Sequence, residues 1–217
     1  AEERITLAYM APTVVRFLVD ALRGRSFPDL RLIALGGELV DAEAVAITRE
    51  LFHPDHVANG FGTTETGVIT LYVLEPDEVP SGPVPAGLPV PDVELYVLDD
   101  DGEVVHTGEA GEVAIATPWL FDGYWGHPEL TATVLDPDPQ GRPGWKLYRT
   151  GDLGQLASDG NLTVLGRLDA KVKVRGRLVV LGDVEADLHE HPAIADAVVT
   201  TVTTDGLTEL VAVVVPA

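Results

Sequence analysis

Residues 30–67 read LRLIALGGELVDAEAVAITRELFHPDHVANGFGTTETG, and this stretch decides the fold class. The run LRLIAL is apolar and predicts a buried strand that ends at the glycine pair. Asp41 is a suitable N-cap for a helix that continues to about Phe52. A second strand, at about 57–61, then delivers the polar sequence GTTETG at its carboxyl end, where ligands bind in α/β folds. The stretch therefore predicts a strand–helix–strand unit with a ligand-binding turn.

An amphipathic helix precedes this unit. Over residues 13–24, apolar side chains recur at helical spacing with charged residues between them, and Gly24 is a stop signal. We assign residues 1–70 to part of an α/β core.

The sequence changes character after residue 70. Prolines become frequent, and they are followed by short β runs such as VELYVLDDDGEVV and GEVAIA. Asp101-Gly102 lies between two such runs and predicts a hairpin turn. Residues 71–168 are therefore expected to form a β-rich subdomain.

A third segment covers residues 169–217. The run KVKVRGRLVV alternates between charged and apolar residues, which predicts one exposed strand. A helix at about 183–191 and two strands, AVVTTVTT and ELVAVVVP, complete a small α+β unit. The predicted fold class is accordingly α/β and α+β.

Composition excludes several kinds of function. The 217 residues include no cysteine, so disulfides, thiolate nucleophiles and cysteine-ligated zinc are excluded within this sequence. The 14 Lys and Arg residues face 35 Asp and Glu, a net charge of −21 that would repel a nucleic-acid backbone. No convincing membrane span or signal peptide occurs, so we expect a cytoplasmic protein with neither nucleic-acid nor membrane partners.

Four segments could carry chemistry: GGELV at 36–40, NGFGTTETG at 59–67, YRTGDL at 148–153, and GRLDAKVKVRGRLVVLGDVE at 166–185. Thr64 and Glu65 offer a hydroxyl and a carboxylate that suit a phosphate and Mg²⁺. Asp152 follows a glycine and suits a vicinal diol such as a ribose, and Arg167 supplies a cation. Taken singly, a polar turn, a turn aspartate and a surface salt bridge explain these residues equally well.

The order and spacing of the four segments resemble those of adenylate-forming enzymes, most closely the adenylation domains of nonribosomal peptide synthetases. The resemblance covers essentially the whole chain and includes GYWGHPELTATV at 123–134. It implies part of an adenylate-forming fold: a partial α/β core with the adenine and metal motif, a β-rich subdomain with the ribose motif, and the start of a mobile C-terminal subdomain. It also implies an ATP-dependent ligase that uses Mg²⁺ and transfers its acyl group to the phosphopantetheine thiol of a peptidyl carrier domain.

The resemblance also assigns roles to single residues. It implies that Asn59 and Phe61 contact adenine, with Phe61 where the family usually has tyrosine, and that Asp152 binds the ribose hydroxyls. The implied catalytic residues are Thr64 on the α-phosphate, Glu65 on Mg²⁺, and Arg167 on the ribose or phosphate side. Asp169 is the implied hinge of the C-terminal subdomain.

The same resemblance implies an acyl pocket that favours an amino acid, or a related keto or hydroxy acid, with an apolar side chain. Its lining residues are Tyr9, Ile33, Leu35, Gly60, Val68 and Ile69. Ile33 and Leu35 lie on a buried strand, so a core role explains them as well.

Two parts of the family's site do not occur in this sequence. Neither the Gly, Ser and Thr-rich phosphate loop nor a lysine after Lys173 is found. We therefore expect the chain alone to be inactive and the rest of the adenylation domain to be its partner. An inserted tailoring domain or a small accessory protein is a further candidate partner.

Two alternatives stay open at the level of sequence. An acyl-CoA synthetase or fatty acyl-AMP ligase would use the same chemistry with a different acyl group and acceptor. A noncatalytic adenylation-like segment would serve as a scaffold, although a scaffold has no physical need of the four polar residues assigned above.

Overall fold

The structure is a computed structural model that describes residues 4–80, 82–168, 171–174, 177–189, 191–204 and 207–216. The chain divides into two compact units, Ala1–Leu165 and Gly166–Ala217. In the described residues, no helix combines the length and the apolar character needed to cross a bilayer.

A five-stranded sheet with two helices opens the first unit. In chain order its elements are β1 (Leu7–Met10), α1 (Pro12–Leu22), β2 (Leu32–Gly36), α2 (Ala42–Phe52), β3 (His56–Thr63), β4 (Gly67–Leu74) and β5 (Leu88–Pro89). The strands lie in the order β1-β2-β3-β4-β5; the first three run parallel, and β4 and β5 are antiparallel to their neighbours. The predicted strand–helix–strand unit is confirmed.

Carboxylates from the GGELVD segment cap both helices. Asp41 Oδ1 accepts a hydrogen bond from Ala44 N at 2.7 Å and caps α2, as expected. Helix α1 has no side-chain cap of its own, but Glu38 Oε2 accepts from Thr13 N at 3.0 Å and from Thr13 Oγ1 at 2.6 Å. The carboxylate of GGELV therefore anchors a helix N-terminus, where a negative charge is stabilising.

The two faces of this sheet differ. Residues of α1, α2 and the strands form a buried core on one face: Val15, Leu30, Ile33, Leu35, Val40, Ala44, Val45, Phe52, Val57, Leu74 and Val84. On the other face the strand register places Tyr9 beside Ala34, and Gly36 beside Gly60. Tyr9 is 50% exposed and Val68 is 49% exposed, so this second face carries an aromatic and an apolar side chain in contact with solvent.

A second sheet completes the first unit. Its elements are β6 (Glu94–Leu98), β7 (Ala110–Thr117), α3 (Pro128–Val134), β8 (Leu135–Pro137), β9 (Lys146–Leu156) and β10 (Leu162–Arg167). The strand order is β10-β9-β7-β6, with β8 beside β9, and the boundary between the two units falls within β10, after Leu165. The predicted turn is present: Asp99 N donates to Glu103 O at 2.9 Å, and Gly102 adopts φ +83°. The first sheet extends through Pro89, so it includes residues on both sides of residue 70; the three-part division stays a prediction.

The second unit contains β11 (Lys171–Val174), β12 (Arg177–Val180), α4 (Leu181–His189), β13 (Ile194–Thr204) and β14 (Leu207–Pro216). Strands β13 and β14 pair antiparallel, as do β11 and β12. The prediction of one continuous strand for KVKVRGRLVV is wrong, because its two halves pair with each other. Alternation alone cannot distinguish one long strand from a hairpin.

Candidate active site

The sequence GTTETG forms the turn between β3 and β4. Thr63 N donates to Thr66 Oγ1 at 3.1 Å, and Thr66 N donates to Thr63 O at 3.3 Å. Gly62 has no room for a side chain, since a Cβ there would clash with the Gly67 carbonyl. The first and last threonines of the turn therefore build it, while Thr64 is exposed and Glu65 is half-buried.

Glu65 is held from a distant part of the chain. Tyr124 Oη donates to Glu65 Oε1 at 2.8 Å, and Phe121 N donates to Glu65 O at 3.0 Å. Partial burial raises the pKa of Glu65, but hydrogen bonds from Tyr124, its own backbone, Thr63 and Tyr148 outweigh burial and lower it below its usual value. Glu65 is consequently an oriented and ionised carboxylate.

Three aromatic rings surround this carboxylate. Phe121 packs against Tyr124 and Tyr148 in edge-to-face geometry, with centroid separations of 5.0 and 5.7 Å. Burial and the charge of Glu65 raise the pKa of Tyr148, so its hydroxyl stays protonated. The sequence assigned no role to either tyrosine, although Tyr124 lies in GYWGHPELTATV and Tyr148 begins YRTGDL.

YRTGDL forms a β-bulge in β9. The register between β7 and β9 shifts between Glu112 and Ala114, and Gly151 adopts φ +70°, a conformation that favours glycine. Thr150 Oγ1 donates to Val113 O at 2.8 Å and accepts from Asp152 N at 2.9 Å. The bulge thus fixes the backbone of Asp152, which is only 8% exposed.

Asn59 and Phe61 lie on β3, before the turn. Asn59 is buried, and its Nδ2 donates to the carbonyl oxygens of Val84 and Pro85, each at 3.0 Å. Both amide N–H groups are therefore engaged, and a ligand would meet the amide oxygen. Phe61 is half-buried against the core between the two sheets of the first unit. These contacts leave the expected adenine role of both residues untested.

The six expected pocket residues are not brought together. Tyr9, Gly60 and Val68 lie on the exposed face of the first sheet; a Cβ on Gly60 would contact Val68 Cγ1 at 3.4 Å. Ile33 and Leu35 lie in the core on the opposite face, beneath the helices. Ile69 is 2% exposed within a second core that joins the two sheets of the first unit: Ile69, Ala86, Val93, Val113, Ile115, Tyr148 and Leu162.

Gly36 lies on the same face as Gly60, and both glycines are buried, whereas Tyr9 and Val68 are about half exposed. The sequence predicts no pocket role for Gly36. A Cβ on Gly36 would clash with both the Tyr9 hydroxyl and the Gly60 carbonyl. Tyr9, Gly36, Gly60 and Val68 are therefore the residues that the structure gathers. The glycine pair ending β2 was the only sequence signal for this position.

Two expected site residues fall near or beyond the end of the first unit. Arg167 ends β10, is exposed and belongs to the second unit. The expected hinge residue, Asp169, lies outside the described residues.

The Glu65 carboxylate is a suitable ligand for a cation that also binds a nucleotide. Within the described part of the chain, no three His, Asp or Glu side chains are grouped to hold a metal by themselves. Mg²⁺ in nucleotide sites takes one or two protein carboxylates and completes its shell with phosphate oxygens and water. A single ionised glutamate beside an exposed threonine matches that donor set.

Comparison with known proteins identifies the family. The model of the AMP-binding enzyme family matches residues 1–125, more than half of the chain. The chain belongs to the AMP-binding enzyme family. A linear gramicidin synthase of Brevibacillus parabrevis is 39% identical over 201 residues, which are 91% of this chain and 4% of that protein. The predicted resemblance to peptide-synthetase adenylation domains is confirmed.

Solved structures of adenylate-forming enzymes share the fold. ATP-bound MatB from Rhodopseudomonas palustris has a TM-score of 0.79 at 26% identity and is matched over 99% of this chain and 41% of its own. PA1221, described as a peptide-synthetase protein with adenylation and PCP domains, has a TM-score of 0.69 at 25% identity, over 99% of this chain and 43% of its own. Among eight curated relatives, this member of the AMP-binding family spans only 2% to 17% of each relative's length.

Proposed function

We propose that this chain forms part of an ATP- and Mg²⁺-dependent ligase that converts a carboxylic acid to an acyl-adenylate and transfers the acyl group to a phosphopantetheine thiol on a peptidyl carrier domain. The ionised, hydroxyl-held Glu65 in the family's turn carries this proposal. PA1221 contains a PCP domain, which supports a carrier domain as partner. MatB binds ATP, which supports ATP as the cosubstrate. The rest of the adenylation domain is the other partner that we propose; a cytoplasmic location stays a prediction.

The first step joins a substrate carboxylate oxygen to the α-phosphorus of ATP while the bond to pyrophosphate breaks. When bound, Mg²⁺ neutralises charge that builds on the phosphate oxygens. Glu65 would hold that cation, and the Thr64 hydroxyl would donate to an α-phosphate oxygen. In the second step a thiol sulfur attacks the acyl carbon, AMP leaves, and the thiol proton passes to solvent.

The ribose would lie at Asp152; the roles of Arg167 and Asp169 stay predictions from the sequence. Support comes from β9, which carries both Tyr148 beside Glu65 and Asp152 four residues later. At about 3.3 Å per residue the separation is at most roughly 13 Å, which is on the scale of a nucleoside triphosphate. Asn59 and Phe61, on the strand before the turn, would contact adenine.

The acyl side chain would lie on the exposed face formed by Tyr9, Gly36, Gly60 and Val68. Two glycines, an aromatic ring and a valine side chain, with no charged group among them, favour an apolar substituent over a charged one. We propose an amino, keto or hydroxy acid of this kind as substrate.

Pyrophosphate exchange tests the proposal. The full-length protein containing this chain is assayed for incorporation of labelled pyrophosphate into ATP, over amino, keto, hydroxy and fatty acids. We expect exchange with an apolar amino, keto or hydroxy acid that chelation of Mg²⁺ abolishes, and acyl loading of the carrier domain rather than of coenzyme A. Exchange with fatty acids alone would favour an acyl-AMP ligase, and no exchange together with no ATP binding would favour a scaffold.

A further inference from the structure

The contact between Tyr124 and Glu65 joins two segments that are 59 residues apart in the sequence. We propose that Tyr124 is a positioning residue for Glu65, helping to fix the direction in which its carboxylate is presented at the turn. This inference rests on the proposed function, since it assigns Glu65 the cation.

Tyr124 is itself firmly placed. Its backbone N donates to Thr131 Oγ1 at 2.9 Å, and the same hydroxyl donates to His127 O at 3.0 Å on the first turn of α3. Gly123 adopts φ +137° with Thr131 against it, so the backbone approaches the helix closely. A connected set of contacts therefore runs from α3 through Tyr124 to Glu65.

The loop also holds the turn through its backbone. Phe121 N donates to Glu65 O at 3.0 Å, and the Phe121 ring packs on Tyr124 at 5.0 Å. Main chain and side chain of Glu65 are thus both fixed by residues 121–124. A hydroxyl adds no charge, so it orients the carboxylate without neutralising it, whereas a Lys or Arg at this place would compete with a bound cation.

Binding of Mn²⁺ tests this inference without relying on turnover. The full-length protein is titrated with Mn²⁺ in the presence of a non-hydrolysable ATP analogue, and free Mn²⁺ is measured by electron paramagnetic resonance. We expect Tyr124→Phe to weaken Mn²⁺ binding about tenfold, because a hydrogen bond to a charged group is lost. The double variant with Glu65→Gln should bind no more weakly than Glu65→Gln alone, since Tyr124 acts through Glu65.

Tyr96→Phe is a matched control, because Tyr96 Oη also donates to a glutamate, Glu94 Oε2, at 2.8 Å. It should bind Mn²⁺ like the wild type. If Tyr124→Phe does not fold, Thr131→Val is tested instead, because it removes the hydroxyl that supports the Tyr124 backbone. Thr131→Ser, which keeps that hydroxyl, is the control for this variant.

Three results would overturn the inference. Wild-type affinity in Tyr124→Phe would show that the tyrosine is only structural, while the proposed function stands. Tighter Mn²⁺ binding would show that Tyr124 competes with the cation. Absence of nucleotide-dependent Mn²⁺ binding in the wild type would remove the proposed function itself.

Discussion

Glu65 and Asp138 are two carboxylates that the same unit treats differently. Asp138 is paired with a guanidinium: Arg142 Nη2 lies 2.7 Å from Asp138 Oδ1, and Arg142 Nε lies 2.9 Å from Asp138 Oδ2. Arg142 also bonds Glu94 and stacks 3.7 Å over the Trp145 ring. Glu65 is held by neutral hydroxyl groups. The charge of Asp138 is neutralised by Arg142 within the fold, whereas the charge of Glu65 stays available to a cation.

Replacing Glu65 should have the largest effect on activity. We expect Glu65→Gln in the full-length protein to lower the pyrophosphate exchange rate on the order of 100-fold or more, because a charge clamp on the reacting phosphate is lost. The midpoint of thermal unfolding should be nearly unchanged, since hydroxyl groups rather than a cation hold the Glu65 side chain. A large loss of thermal stability with little loss of exchange would show that Glu65, like Asp138, serves the fold rather than the reaction.

Replacing Arg142 should show the opposite pattern. Arg142→Met leaves the Asp138 side chain, 1% exposed, without its cation, so the unfolding midpoint should fall by several degrees while exchange by the folded protein is retained. Hydrogen bonds from Arg142, outweighing burial, lower the pKa of Asp138. Its stabilisation is thus present above the unfolded pKa, about 3.9, and is lost as pH falls through the lower folded pKa. The part of the difference in midpoint that comes from Asp138 should therefore disappear only in strong acid.

A milder contrast concerns the exposed face beside the turn. An alanine Cβ at Gly60 would contact Val68 Cγ1 at 3.4 Å and Leu71 Cδ1 at 3.6 Å, which needs no backbone shift. We expect Gly60→Ala to fold normally and to shift the substrate preference about tenfold toward a smaller side chain, measured by kcat/KM for exchange. An unchanged preference would place the acyl group elsewhere. Gly36→Ala, which clashes with backbone, should instead destabilise the fold.

The smallest effect concerns an exposed charged pair in the second unit. A hydrogen bond with Asp196 at 3.0 Å raises the pKa of His189. Because its pKa is raised in the folded protein, protonated His189 stabilises the fold at pH values below the unfolded pKa, about 6.5. This stabilisation is lost as pH rises through the folded pKa. The unfolding midpoint of His189→Gln should lie slightly below that of the wild type at pH 6 and match it at about pH 9. A difference that grows with pH would contradict this pairing.

Local signals predicted much of the fold. The Asp41 cap, the helix to Phe52 and the turn at Asp101-Gly102 each depend on a few neighbouring residues, and all three are confirmed. Alternation along β2 predicts that Ile33 and Leu35 share a face. Alternation does not say which face of the sheet the helices cover. The sequence therefore could not show which of the predicted pocket residues belong to the core.

The site depends on contacts that no local pattern encodes. Tyr124 meets Glu65 only because α3 and the loop before it pack beside the β3–β4 turn, and the β9 bulge at Gly151 appears only once β7 is paired with it. The motifs predicted which residues carry polar chemistry, and tertiary packing decides how they are held.

A crystal structure of the full-length protein with Mg²⁺ and an ATP analogue tests the central claim most directly. We predict a Glu65 carboxylate oxygen at about 2.1 Å from the metal, with Asp138 still paired to Arg142. A metal whose shell contains phosphate and water but not Glu65 would contradict the account.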